Sequence, residues 1–157
     1  MHFDFRTIDG FVFDWQGTLV KSYHGEPIPT PGALRLLGFL KEKRVKIGLV
    51  SNQEKNSLLD DIRALEWTAF FDHVVGLGDV MEPKPSPLPL LLCLRHMGLK
   101  PSPSIMMVGD SAADIACAKA AFCTPVWLHH TSQNLEHTDA YATRDCLSFL
   151  TNIKKIF

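Results

Sequence analysis

Three apolar stretches of this chain each run straight into a residue that can do chemistry. Phe11-Val12-Phe13 leads into Asp14, Val45 to Val50 into Ser51-Asn52, and Ser104 to Val108 through Gly109 into Asp110. A carboxylate set just past a buried strand loses hydration, so it is stable there only with a partner. One such acid alone reads most simply as a helix cap. Two acids and a hydroxyl delivered to one edge read differently. With backbone carbonyls nearby they form a hard-oxygen site, which suits Mg²⁺ together with phosphate oxygens. Lys84 is the matching cation. It stands in Pro83-Lys84-Pro85-Ser86-Pro87, on a stiff backbone ahead of a helix whose N-terminus favours anions. The histidines offer no transition-metal alternative, because His129 and His130 are adjacent on a strand and point to opposite faces.

These groups meet only if the elements between them bring the stretches side by side. Residues 21–32 are polar and Pro-rich and read as a loop. Thr30-Pro31 reads as an N-cap and first helical position, with Leu34, Leu36, Leu37 and Leu40 following at helical spacing as far as Lys43-Arg44. A second amphipathic helix spans 54–66, with Leu58, Leu59, Ile62 and Leu65 on one face. A weaker strand lies within 70–77, and an apolar helix follows the proline-rich segment to about His96. The strand 104–108 is followed by an Ala-rich helix over 112–121, a strand over 124–128 and a last helix from about Arg144. Strands alternating with helices imply right-handed βαβ units. The expected fold is α/β: a Rossmann-like three-layer sandwich around a mostly parallel five-stranded sheet, a single domain over 1–157. In such a sheet ligands bind outside the carboxyl ends of the strands, where Asp14, Ser51-Asn52 and Asp110 stand.

Composition narrows the partners. Sixteen Lys plus Arg against seventeen Asp plus Glu give a net charge of −1, so no field of one sign steers the chain to nucleic acid or anionic lipid. The 157 residues are enough for a core without disulfides or a structural metal. Cys93, Cys117, Cys123 and Cys146 form no CxxC pair and read as buried, reduced thiols. The start has no basic segment leading into an apolar run, and Pro89 breaks the longest apolar stretch, 88–94. The expectation is a cytoplasmic protein with no membrane span.

Four motifs carry a family resemblance. FVFDWQGTLV, GLVSN, KPSP and VGDSAAD resemble, in order, the four motifs of the haloacid dehalogenase-like (HAD) hydrolase superfamily, over about residues 8–130. The KPSP and GDSAAD forms most resemble its phosphoglycolate-phosphatase-like branch. The resemblance implies that Asp14 is a nucleophile that forms an aspartyl-phosphate. It implies that Asp14, the Gln16 backbone carbonyl and Asp110 hold Mg²⁺, and that Ser51, Asn52 and Lys84 bind the phosphoryl group. Thr18 and Asp114 would support the site, Asp114 by ordering metal-bound water or by pairing with Lys84.

Two departures from the family pattern shape the expected function. Phosphatases of the superfamily carry a second Asp two residues after the nucleophile, and here that place holds Gln16. An amide transfers no proton near neutral pH, so general acid–base help worth about 10²–10⁴-fold is absent. His24, in the loop after the first strand, is the nearby candidate to replace it. The intervals Asp14–Ser51 and Ser51–Lys84 each hold a helix and little more, so neither contains a cap domain. The expected activity is a slow Mg²⁺-dependent phosphatase with an open site. It would act on a phosphorylated small molecule or macromolecule, with a second subunit as one way to cover the mouth. The alternative is a catalytically weak phosphate-binding or regulatory protein; phosphonate-cleaving and dehalogenating chemistry fit less well.

Overall fold

A computed structural model describes residues 7–130 and 140–157. The elements are β1 (Gly10–Phe13), β2 (Val20–Tyr23), β3 (Glu26–Pro29), α1 (Ala33–Glu42), β4 (Lys46–Glu54), α2 (Lys55–Ala64), β5 (His73–Leu77), α3 (Leu88–Met97), β6 (Ile105–Gly109), α4 (Ala112–Ala120), β7 (Thr124–Leu128), β8 (Tyr141–Thr143) and α5 (Cys146–Ile153). Six strands form one sheet in the order β5-β4-β1-β6-β7-β8, and every pairing in it is parallel.

Alternation along the strands divides the core. Phe11, Phe13, Ile47, Leu49, Met106 and Val108 pack on one face with Leu36, Leu37 and Leu40 of α1, Leu58 and Ile62 of α2 and Phe149, Leu150 and Ile153 of α5. Val12, Val50, Val75, Ile105 and Met107 pack on the other with Leu90, Cys93, Leu94 and Met97 of α3 and Cys117 and Ala118 of α4. This is the expected three-layer sandwich, and all four cysteines are buried and free. Burial holds the Cys93 thiol up at about 12 and those of Cys117 and Cys146 at about 11. Among the described residues, no helix is long and apolar enough to cross a membrane. The reading of the chain's start rests largely on residues 1–6, outside the described residues.

Three local expectations are corrected. The sheet has a sixth strand, β8, only three residues long and too short to show alternation. Segment 21–32 is no simple loop: β2 and β3 pair antiparallel as a hairpin. Its two-residue turn, His24-Gly25, has φ of 50° and 79°, the twist that suits a tight hairpin. Tyr23 pairs with Glu26 beside the turn, so alternation puts Pro27 and Pro29 at positions whose N–H takes no part in the ladder. Thr30 does not cap α1. Gly32 holds that place with φ 83° and no side-chain cap, and the Thr30 hydroxyl instead donates to the carbonyls of Thr18 and Leu19.

Candidate active site

Sheet order explains why three distant residues meet. β1 lies between β4 and β6, with Phe13 level with Leu49 on one side and Val108 on the other. Asp14, Ser51 and Asp110 therefore emerge at one carboxyl edge. Asp14 and Ser51 are buried, and Asp110 is half-buried. Asp110 caps no helix. Ser111 caps α4 by accepting the Asp114 N–H, and Asp114 accepts the Ser111 N–H in return, a capping box.

The centre of the site is an ion cluster. Lys84 is only 6% exposed, and its ammonium has three protons and places all of them: on Asp14 Oδ1 at 2.8 Å, on Asp114 Oδ1 at 2.6 Å and on the Val50 carbonyl at 2.9 Å. The other Asp114 oxygen accepts the Ser111 hydroxyl and backbone N–H. Of the two roles expected for Asp114, the structure thus places it in the pair with Lys84. Asn52 does not act through its backbone here. Its side-chain amide donates to the Lys84 carbonyl and accepts the Lys84 N–H, both at 3.0 Å, and so clasps the segment that carries the lysine.

Asp14, Asp110 and Asp114 each offer an oxygen within 4.8 Å of the others. Three neighbouring carboxylates, two of them on the Lys84 ammonium, leave a surplus of two negative charges when all are ionised. Burial, opposed by Lys84 and reinforced by Asp114, pushes the Asp14 carboxyl up to about 7. Burial and the Asp114 charge also raise Asp110. Burial pulls Lys84 down, but Asp14 and Asp114 outweigh it and hold its pKa above the usual lysine value. All three directions report the same surplus of negative charge. A divalent cation would neutralise it, and the donors are the hard oxygens that Mg²⁺ takes. Two glycines let the carboxylates approach. A Cβ on Gly17, at φ 80°, would collide with the Asp110 carboxylate, and one on Gly109 would collide with that of Asp114. Buried Thr18 lies at the edge of hydrogen-bond reach of Asp110, its Oγ1 3.5 Å from Oδ1.

A cavity of about 360 Å³ opens onto Asp14, Gln16, Ser51, Asn52, Gln53 and Lys84. The Ser51 hydroxyl lines it while accepting the Gln53 N–H. A larger cavity, about 550 Å³, lies against Gly17 and Asp110 and is lined by Lys21, His130 and Arg144 instead. Asp14, Ser51 and Lys84 line the smaller one and not the larger. His24 sits at the exposed hairpin turn against the Tyr23 ring and lines neither cavity. His130, in the larger cavity, was not expected beside Gly17 and Asp110. β7 ends at Leu128, and the left-handed backbone at His130 brings its Nε2 to 2.5 Å from the Gly17 carbonyl. Adjacency to His129 in sequence gave no sign of that break.

Known proteins resemble this chain in sequence and in fold. The profile of the haloacid dehalogenase-like hydrolase family matches residues 7–128. A phosphoglycolate phosphatase of Escherichia coli is 40% identical over 98 residues, 62% of this chain and 38% of that one. The chain thus spans well under half the length of that relative. A HAD-superfamily hydrolase from Ehrlichia chaffeensis superposes with a TM-score of 0.83 at 21% identity, covering 96% of this chain and 98% of that one. A HAD phosphatase from Thermococcus onnurineus does so with a TM-score of 0.80 at 18% identity, covering 95% and 97%. At these identities the two structures speak for the fold.

Proposed function

The chain belongs to the haloacid dehalogenase-like hydrolase family, and from that premise we propose that it is a Mg²⁺-dependent phosphohydrolase whose nucleophile is Asp14. The observation that supports this reading is the convergence of Asp14, Asp110 and Asp114, with Lys84 paired to Asp14 and Asp114 and Ser51 lining the same cavity as Asp14 and Lys84. Asp14, Asp110 and the Gln16 backbone carbonyl are the groups that would hold Mg²⁺. When bound, the ion supplies positive charge that offsets the repulsion between Asp14 and an anionic phosphate.

The residues divide the rest of the work. A carboxylate oxygen of Asp14 attacks phosphorus as the ester P–O bond breaks, giving an aspartyl-phosphate and an alcohol. Ser51 donates to a phosphoryl oxygen, and Lys84 supplies charge beside it. Lys84 is itself oriented by Asp114 and by the Asn52 clasp. Water then attacks the acyl phosphate, returning the Asp14 carboxylate and releasing phosphate. Gln16 can neither give the leaving oxygen its proton nor take one from the water. Both protons are therefore exchanged with solvent, and turnover is slow. No separate domain interrupts residues 14–84, so the mouth is open to a phosphorylated small molecule, of which the phosphoglycolate of the E. coli relative is one example, or to a phosphorylated macromolecule. A second copy of the chain would serve as the lid that excludes water.

Gln16 also favours a second reading, a phosphate-binding or regulatory protein that keeps the site but not the turnover. Phosphate release from a panel of phosphate esters separates the two. The phosphatase releases phosphate with Mg²⁺ and stops in excess EDTA or on Asp14→Asn. Turnover that survives both treatments would overturn the assignment, and a protein that binds phosphate and turns over none of the panel is the regulatory one.

A further inference from the structure

We infer that the Gln16 side chain is a latch that fixes the β2–β3 hairpin beside the mouth of the site: a positioning residue, rather than a group that contacts the leaving group. Every polar atom of its carboxamide is already engaged. Nε2 donates to the Ser22 hydroxyl at 2.6 Å and, more weakly, to Gln53 Oε1 at 3.4 Å. Oε1 accepts the Ser22 backbone N–H at 3.2 Å. With both amide protons placed, the side chain has no donor left to offer an ester oxygen.

The hairpin's own geometry prepares this contact. Ser22 is level with Pro27, in the pair that exchanges no ladder hydrogen bonds, so its N–H points away from β3. Val20 is in the equivalent place opposite Pro29, and its outward N–H is taken by the Trp15 carbonyl. Gln16 carries the same edge pairing two residues further along β2, using a side-chain carbonyl where the backbone has turned away. The hairpin needs such a tether. Lys21, Ser22 and Tyr23 of β2 and Glu26, Ile28 and Pro29 of β3 are exposed, and an isolated two-stranded hairpin is marginal in water. Its base is held by Gly17 N–H to Val20 and by Thr30 to Leu19, but Gln16 reaches beyond that base.

The latch is itself braced from behind. Gln53 donates from Nε2 to Ser57 and to Asp61 Oδ2, and Asp61 Oδ2 also accepts the Trp15 indole N–H at 3.2 Å. That chain turns Gln53 Oε1 toward Gln16. Residue 16 thereby links β2, the end of β4 and α2 into one wall.

Amide hydrogen exchange tests this without depending on activity, and aryl phosphate kinetics add an arm that rests on the phosphatase reading. Gln16→Ala and Ser22→Ala should each speed exchange over residues 20–29 by about tenfold, the scale of one or two lost hydrogen bonds. Ser22→Thr, which keeps the hydroxyl and the N–H, should exchange like the native chain, and β1 should be unaffected throughout. In the double variant the two effects should fall well short of multiplying, because both changes remove the Gln16 Nε2–Ser22 hydroxyl hydrogen bond. Native exchange in both Ala variants, or Ser22→Thr behaving like Ser22→Ala, would overturn the latch. Across aryl phosphates of graded leaving-group pKa, Gln16→Ala should leave the slope of log kcat/KM unchanged. A steeper slope would place Gln16 on the leaving group and overturn the inference. If no ester is turned over, the phosphatase reading fails and the exchange result alone decides the latch.

Discussion

At the scale of single residues, the site is defined by what Lys84 and Gln16 each lack. Lys84 lacks a free proton, since Asp14, Asp114 and Val50 take all three. It acts as a buried charge whose direction is fixed before any ligand arrives. Gln16 lacks a transferable proton. Gln16→Asp restores a carboxyl two residues after Asp14 and should raise turnover of alkyl phosphates about tenfold, the low end for general acid–base catalysis. The gain should be smaller for p-nitrophenyl phosphate, whose leaving group needs little protonation. Steady-state rates on the two esters, with Mg²⁺ affinity measured alongside, check this. Equal rates for variant and native chain on both esters, with metal binding intact, would show that proton transfer is not the limit. The shorter Asp side chain also gives up the Ser22 contact, so the gain should come with faster exchange in the hairpin.

At the scale of elements, the parts that place the site are those with strong periodicity. β1, β4 and β6 were legible because an apolar run stops abruptly at a polar residue, and their common carboxyl edge followed from parallel βαβ winding; that β1 lies between β4 and β6 did not. The burial of Asp14, Ser51 and Lys84 at one edge agrees with that reading. The hairpin was hidden because His24-Gly25 is not a strong turn pair and two prolines occupy β3. β8 was hidden by its length. The Thr30 hydroxyl was assigned to α1 because cap chemistry is local, whereas its partners, Thr18 and Leu19, lie a dozen residues back. The clasp of Asn52 on Lys84 was illegible for the same reason, as it spans thirty-two positions. That clasp joins the end of β4 to the turn ahead of α3, in which the Ser86 N–H donates to the Pro83 carbonyl. Asn52→Ala should therefore lower kcat more than it raises KM, by letting the ammonium drift from Asp14. It should also cost about 1–2 kcal/mol of stability, the usual range for two partly exposed hydrogen bonds. Denaturant unfolding and steady-state kinetics on the same preparation check both. A variant with native kcat would show that the bonds of the ammonium to Asp14, Asp114 and Val50 hold Lys84 without the clasp.

At the scale of the whole molecule, folding gathers more negative than positive charge at one sheet edge. The metal-free protein pays for this as pH rises. The folded Asp14 carboxyl titrates at about 7, against an ordinary 3.8. Between those values the native state holds a proton that the unfolded chain has lost. Its contribution to stability is therefore complete below about pH 4 and is lost as pH climbs through about 7. Asp110, also raised, acts in the same direction. Mg²⁺ competes with those protons. The Tm increase that Mg²⁺ gives over EDTA should thus be small at about pH 5 and larger at about pH 8. An increment that does not change with pH would mean that the cation binds away from this cluster.

Asp14, as the proposed nucleophile, should carry the phosphoryl group between the two half-reactions, and the most direct measurement looks for that group on the residue. Acid-quenched protein, digested and read by mass spectrometry after mixing with a phosphate ester, should show one phosphoryl adduct on the peptide containing Asp14. With p-nitrophenyl phosphate, whose leaving group needs little protonation, only water attack lacks its helper, so the adduct should form faster than it decays and accumulate when Mg²⁺ is present. It should be absent in EDTA and absent from Asp14→Asn. Phosphate released at the native rate by Asp14→Asn, or an adduct found on another residue, would contradict the account.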